Sequence, residues 1–203
     1  MMGFRGPHVR VSRRLGVPLT PKAARYMERR PYPPGVHGRA RHERGDYAIR
    51  LLEKQKLRFF YDVSETQLRR AFAVARRRPG NTGEELIAEL ETRLSSVVYR
   101  AGIAPSIHAA RQYISHGHIS VDGGKVDRPS YRLRPGQVVA VREKSRALHP
   151  FRVSADGGHA RGPAPNHLGV ELSQLRTTLL RRPSRADARI DVDERLVVEH
   201  YTR

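Results

Sequence analysis

Apolar residues recur at three- and four-residue spacing through much of this chain, and the pattern changes to alternation only between residues 119 and 141. Leu94, Val97, Val98 and Ala101 share one stripe of a helix, which places Arg93, Ser96 and Arg100 beside it, facing outward. Gly102 is positioned to stop that helix in a left-handed cap. A second helix begins near Ser106, a good N-cap, and carries Ile107, Ala110 and Ile114 inward. His108, Arg111, Gln112 and Ser115 fall on its other faces, and Gly117 ends it. Ile119 and Val121 then alternate as strand residues do. Asp122-Gly123 predicts a hairpin turn with positive φ at both central positions, and Pro135-Gly136 a second turn before the apolar strand Val138 to Val141. Residues 93–142 therefore read as helix, turn, helix and a short antiparallel ribbon.

Upstream the period is helical. From Asp46, a plausible N-cap, a helix runs to about Tyr61 with Ile49, Leu52 and Phe60 on one side. Arg50, Lys54 and Arg58 form a row at four-residue spacing, and like charges so placed repel unless something negative lies opposite. Ser64-Glu65-Thr66-Gln67 is a capping box opening a helix with Leu68, Phe72 and Ala75 inward and Arg69, Arg70, Arg76, Arg77 and Arg78 elsewhere. Pro79-Gly80 stops it. Thr82-Gly83-Glu84-Glu85 opens a third helix by the same device, with Leu86, Ile87 and Leu90 as its buried side. Residues 46–92 thus predict a small helical domain.

The two ends of the chain are harder to read. Residues 1–45 are rich in Arg, Pro and Gly, with weak periodicity and too little apolar surface to fold alone. They predict an extended basic arm that orders along a phosphate backbone, in preference to a solvated tail. Residues 156–189 predict an irregular extension of a module spanning 93–155. Within it Leu168 to Leu180 fits either one helix or a strand followed by a helix. The fold class is α+β, a helical domain beside a unit of two helices and a small antiparallel sheet.

Charge narrows the partner. The net charge is +19, and its excess lies almost wholly in residues 1–150, with 30 Lys plus Arg against 13 Asp plus Glu; residues 151–203 carry 9 against 7. Such concentration points to a polyanion. A merely solubilising surface is the plainer alternative. No long segment pairs a basic face with a Trp- or Phe-rich one, so a membrane surface is not expected. The N-terminus has no apolar stretch of leader type, and a cytoplasmic location is expected. Cysteine is absent, which excludes disulfides and thiolate zinc sites. His37 and His42 are too few ligands for a metal, and none is expected, nor any cofactor. There is no P-loop, no His-Glu-x-x-His and no pocket motif holding a general base, so catalysis is not expected.

One stretch resembles a known module. The run Ala110-Arg111-Gln112, then Ser115-His116-Gly117-His118-Ile119, Val121-Asp122-Gly123, Val126-Asp127 and Pro129-Ser130-Tyr131 closely resembles the RNA-binding module named after ribosomal protein S-four. Further pieces resemble the bacterial S-four family itself. They are Gly6-Pro7, Ser12 to Gly16 and Pro31 to Gly38 in the arm, Tyr61 to Leu68 and Gly80 to Glu84 in the body, and Asp193 to Tyr201 at the end. The likeness covers about residue 5 to 203 and is weakest over 151–190. Ser95 stands where the family usually has Asp, and Pro105 where a basic residue is common.

The resemblance implies a structural protein of the small ribosomal subunit. It implies binding to 16S ribosomal RNA early in assembly at a junction of several helices, with ribosomal protein S-five as a neighbour and an influence on decoding accuracy. It also implies that residues 190–203 return to complete the helical domain. Within the module the candidate RNA contacts are Arg93, Arg100, Arg111, Gln112, His116, His118 and Lys125. Outside it they are Arg13, Arg14, Arg50, Lys54, Arg58, Arg69 and Arg70. Three have a plainer reading: a salt bridge for Arg111, a helix C-terminal cap for His116, a packed strand residue for His118. Pseudouridine synthases carry the same module ahead of a catalytic domain, but too few residues follow Arg142 here to make one. A free-standing RNA-binding translational regulator is the alternative function. DNA recognition would need a readable recognition helix, and His108, Arg111 and Gln112 are a weak one.

Overall fold

Short helices hold when side chains supply the acceptors that their first N–H groups lack, and Thr20 does this for the second helix of the chain. The computed structural model describes residues 6–40, 45–160 and 162–202. Two helices, α1 (His8–Leu15) and α2 (Pro21–Arg29), replace the expected extended arm. Gly16 closes α1 at φ 74°, the Ser12 hydroxyl accepts from the Leu19 N–H at 3.2 Å, and Thr20 caps α2 through the Ala23 N–H at 3.1 Å. Leu15 and Ala23 are buried. Each helix buries so few apolar residues that no period shows in the sequence; the caps and the turn define them instead. Arg41, His42 and Arg44 lie outside the described residues.

Helix α3 (Asp46–Phe60) is capped by Gly45, one residue before the expected cap, and Asp46 sits in the first turn, where its charge suits the helix dipole. It ends with Asp62 in the left-handed region at φ 47° and the Val63 N–H returning to the Arg58 carbonyl at 3.0 Å. Helix α4 (Glu65–Arg76) has both halves of its capping box: Ser64 Oγ accepts from the Gln67 N–H, and Gln67 Oε1 from the Ser64 N–H. Leu68, Ala71, Phe72 and Ala75 form its buried side.

The chain divides into two units, Met1–Gly83 with Ile190–Arg203, and Glu84–Arg189. Helix α5 (Thr82–Glu91) opens on Asn81, whose Oδ1 accepts from the Gly83 N–H at 2.8 Å, and most of it belongs to the second unit. The reason is electrostatic as well as apolar. Glu91, with a fully buried side chain, takes a two-oxygen grip from the Arg100 guanidinium, at 2.5 Å to Nη2. Glu89 pairs with Arg132.

The rest of that unit is α6 (Leu94–Arg100), α7 (Ile107–Ser115), β1 (Ile119–Val121), β2 (Gly124–Lys125), β3 (Val138–Val141), α8 (Glu143–Arg146), α9 (His149–Ala155), β4 (Leu168–Glu171) and β5 (Arg176–Leu179). The sheet runs β2-β1-β3-β5-β4 and every neighbouring pair is antiparallel. Asp122 and Gly123 take φ of 49° and 82° at the β1–β2 turn, as that turn type requires. One core joins Leu94, Val97 and Val98 of α6, Ala110 and Ile114 of α7, the inward strand residues and Phe151 of α9. Ser95 is fully buried, and its hydroxyl makes no hydrogen bond among the described residues. Leu168 to Leu180 forms neither of the two expected arrangements. It is a hairpin in which Leu168 faces Leu179 and Glu171 faces Arg176, turned by a short 3₁₀ segment and by Leu175 at φ 52°.

The last helix, α10 (Glu194–Thr202), packs on α3 in the first unit. Asp193 donates its N–H to Glu53 at 3.0 Å, and Tyr201 donates its hydroxyl to Glu65 at 2.9 Å. The Tyr201 ring lies 4.9 Å from that of Phe72.

His167 introduces a pH dependence. Its side chain is 0% exposed, and neither ring nitrogen makes a hydrogen bond among the described residues. The nearest carboxylate oxygen, on Asp187, is 3.8 Å away. Burial holds its pKa below the usual histidine value, although Glu91 and Asp187 pull the other way. The unfolded chain takes a proton here near pH 6.5 and the folded chain only lower, so the contribution present above that pH is lost as pH falls below it. His118 and His200 are shifted in the same direction. His167→Leu is expected to raise stability by about 1 kcal/mol at pH 7, since it removes a buried unsatisfied N–H. It should also flatten the decline between pH 7 and 5, read from urea midpoints. An unchanged decline would show that His167 is not its source.

Candidate nucleic-acid interface

In the second unit the end of α7 and the paired ends of β1 and β3 bring cations together. Gly117 ends α7 at φ 73°, so His116 caps the helix and His118 starts the strand. The β1–β3 register pairs Ile119 with Val141, which brings Arg142 beside His118; the Arg142 N–H donates to the His118 carbonyl at 2.8 Å. Arg142 Nη1 also donates to the Gly117 carbonyl at 3.2 Å. Lys125 lies over Gly117, where an added Cβ would come within 2.7 Å of its Cε. His116 and His118 have ring centroids 6.1 Å apart.

His118 is half-buried, with Nδ1 2.9 Å from the Ser145 hydroxyl and its ring edge-on to Phe151 at 5.6 Å. Burial first, then the charges of His116, Lys144 and Arg142, hold its pKa below the usual value. It is a positioned, neutral ring in a positive field. Gln112, exposed, stands one turn before His116 on the same face, and Arg111 is half-exposed beside it. Arg142 and Lys144 were missed by sequence reasoning. The signal was available, because an antiparallel β1–β3 register puts the residue after Val141 against His118.

Gly117→Ala is expected to cost about 1–2 kcal/mol, from the left-handed φ and the collision with Lys125. The same change should displace Lys125. Urea denaturation reads the first effect; an undisturbed midpoint would contradict the geometry.

Two module candidates do not face outward. Arg93 is 3% exposed, at the base of α6, where its backbone bridges to Arg132. Arg100 is held on Glu91, with 9% of its side chain exposed. The stripe that looked free for solvent is covered because α5 supplies carboxylates to that side. Ser96 is buried too, and donates to the Leu90 carbonyl at 2.7 Å.

The first unit changes the assignment of the basic row on α3. Arg50 lies 3.7 Å from Glu199 of α10, and Lys54 3.1 Å from Glu65 of α4, with 8% of the lysine side chain exposed. The negative groups opposite this row are thus the protein's own. Arg58 has no carboxylate partner among the described residues and lies over the Phe59 ring at 4.7 Å. Arg13 is also engaged within the chain. Its Nε donates to the carbonyls of Arg30 and Tyr32 at 3.2 and 3.0 Å. Arg13 and Arg39 both lie over the Tyr32 ring, at 5.0 and 4.9 Å from its centroid. Arg14 is exposed.

The open cationic face of this unit is on α4. Arg69, Arg70, Arg76 and Arg77 are all exposed, at spacings that gather them around Ala73. Arg69 shares Glu65 at 3.4 Å but keeps 71% of its side chain in solvent. Arg76 and Arg77 were outside the sequence-based set, though the same helical spacing places them there. Among the described residues no cluster of three His, Asp or Glu could hold a metal, and no helix is long and apolar enough to cross a membrane.

Two helices and an antiparallel sheet with a cationic rim are the arrangement expected of an S4-type module. Family comparison agrees: residues 3–91 match the Ribosomal protein S4/S9 N-terminal domain and residues 92–139 the S4 domain. The chain is 57% identical to small ribosomal subunit protein uS4 of Thermobifida fusca over 203 residues, all of both chains. It is 52% identical to the protein of that name from Streptomyces griseus, over 97% of each chain. For Beutenbergia cavernae the identity is 54%, over 96% of this chain and 95% of the relative. The chain belongs to the uS4 family of small ribosomal subunit proteins.

Proposed function

We propose that this protein is a structural, non-catalytic constituent of the cytoplasmic small ribosomal subunit that binds 16S ribosomal RNA and holds converging RNA helices together. The observation that carries this is the pair of open cationic surfaces: Lys125, Arg142 and Lys144 around His118 in one unit, and Arg69, Arg70, Arg76 and Arg77 on α4 in the other. Fixed counter-charge offsets the repulsion between phosphate backbones, and the A-form helix is read by shape more than by base sequence. Arg111 and Gln112 extend the module surface, and Arg14 and Arg58 the first unit's. Contact with ribosomal protein S-five and an effect on decoding accuracy belong to the same proposal and rest on the family relationship. The relatives match along nearly their whole length, which favours the ribosomal role over a free-standing regulator.

A salt series on the full chain tests this. Log affinity for a 16S ribosomal RNA transcript is expected to fall linearly with log salt, at roughly 0.7–0.9 per phosphate neutralised. Replacing Arg69, Arg70, Arg76 and Arg77 together by Gln should reduce that slope by about 3 without lowering the melting temperature. Equal affinity for random duplex DNA, or a slope unaltered by the four replacements, would overturn the assignment.

A further inference from the structure

Between α1 and α3 in the first unit lies a half-open cavity of about 370 Å³ with Leu15, Leu52 and Phe59 among its walls. Arg14 and Arg58 stand on it with no carboxylate partner among the described residues, and no acidic residue lines it. Gln55 lines it as well, and the carbonyl oxygen of its side chain is buried and accepts no hydrogen bond among the described residues. The Arg58 guanidinium lies over the Phe59 ring at 4.7 Å, which places a cation and an aromatic ring together beside an apolar hollow. Apolar walls, one orphan acceptor and two unopposed cations are complementary to a flat ring with N–H groups on its edge and a phosphate attached.

We infer that this cavity binds one unstacked nucleobase of the ribosomal RNA. The base stacks on the Arg58–Phe59 pair, an edge N–H donates to Gln55 Oε1, and Arg14 meets the adjoining phosphate. The inference rests on the proposed RNA-binding function and adds to it a base-contacting site among surfaces that otherwise meet only backbone. Single-stranded loops and bulges are where ribosomal RNA offers such a base. A cationic ligand edge is disfavoured by the lining, and a purely apolar one would leave both arginines and Gln55 without a role.

The test uses the full chain and a 16S ribosomal RNA transcript. Ala48 lines the cavity from an exposed position on α3, so Ala48→Phe fills the hollow with little risk to folding. Loss of one stacked base weakens binding by about tenfold, and since a base carries no counterion the slope of log affinity against log salt should fall by no more than the one phosphate on Arg14, about 0.7–0.9. Gln55→Leu should weaken binding in the same way, and Ala48→Leu serves if Ala48→Phe lowers the melting temperature. Affinity within twofold of the unsubstituted chain overturns the inference and leaves the RNA-binding function standing. A slope that falls by two or more phosphates' worth together with affinity shows that the groove collects phosphates only, which also overturns it. Normal RNA affinity with lost incorporation into small subunits would assign the cavity to a protein side chain instead. Failure of the unsubstituted chain to bind the transcript at all removes both readings.

Discussion

A chain ending at Arg189 is expected to lose the fold of its first unit while its second unit stays intact. The missing residues remove the fully buried Val197 and the contact of Tyr201 with Phe72. Each large apolar side chain withdrawn from its site costs about 1.5–3 kcal/mol. The loss also strips Glu53 of the Asp193 N–H, Glu65 of the Tyr201 hydroxyl and Arg50 of Glu199. Lys54 and Arg69 would then be left beside a half-buried carboxylate that has lost its hydroxyl donor. Against the total of roughly 5–15 kcal/mol typical of a folded protein, such a deficit is decisive for a unit this small. Amide hydrogen exchange would show α3 and α4 unprotected and residues 94–141 unchanged. Protection of α3 persisting after the deletion would show that α10 is an accessory.

Glu91→Ala is expected to cost about 3–5 kcal/mol, because it leaves the Arg100 guanidinium largely buried without its counter-charge. The pair itself need not be worth that much. Replacing both partners by apolar residues of similar size, Glu91→Leu with Arg100→Met, should recover most of the loss. Urea denaturation of the two singles and the double gives the coupling between them. If Glu91→Ala melts within 1 kcal/mol of the unsubstituted protein, the carboxylate is not what holds Arg100. RNA affinity of the double variant is a further check, because Arg100 is covered in the fold and its removal should leave the salt dependence unchanged.

The helices of the module and its first hairpin were legible because local chemistry and pattern agree there. Ser106 caps, Gly102 and Gly117 terminate in the left-handed region, and Asp122-Gly123 turns. The β4–β5 hairpin was not legible, since its bend places a leucine, Leu175, in a conformation usually given to Gly or Asn. Its burial offsets that strain, and burial is a property of the tertiary fold. The arm's helices were hidden for a related reason: nine residues with one buried alanine show no period.

Site residues divided along the same line. His116, His118, Lys125 and Gln112 lie near a chain turn whose shape the sequence dictates, and they come together. Arg93, Arg100, Arg50 and Lys54 were judged from helix spacing alone. Spacing tells which side of a helix a cation takes, but the identity of what covers that side depends on distant residues such as Glu91 and Glu199.

The placement of α10 also sets an order of events during synthesis. Residues 84–189 are contiguous and hold everything their sheet and core need, so they can fold while translation continues. Helices α1 to α4 are made before that span, yet their partner α10 comes after it. They must wait, basic and incompletely packed, until α10 has been made. A message broken before that point yields a product with a sound sheet and an unfinished front, which proteases can tell apart from the finished protein.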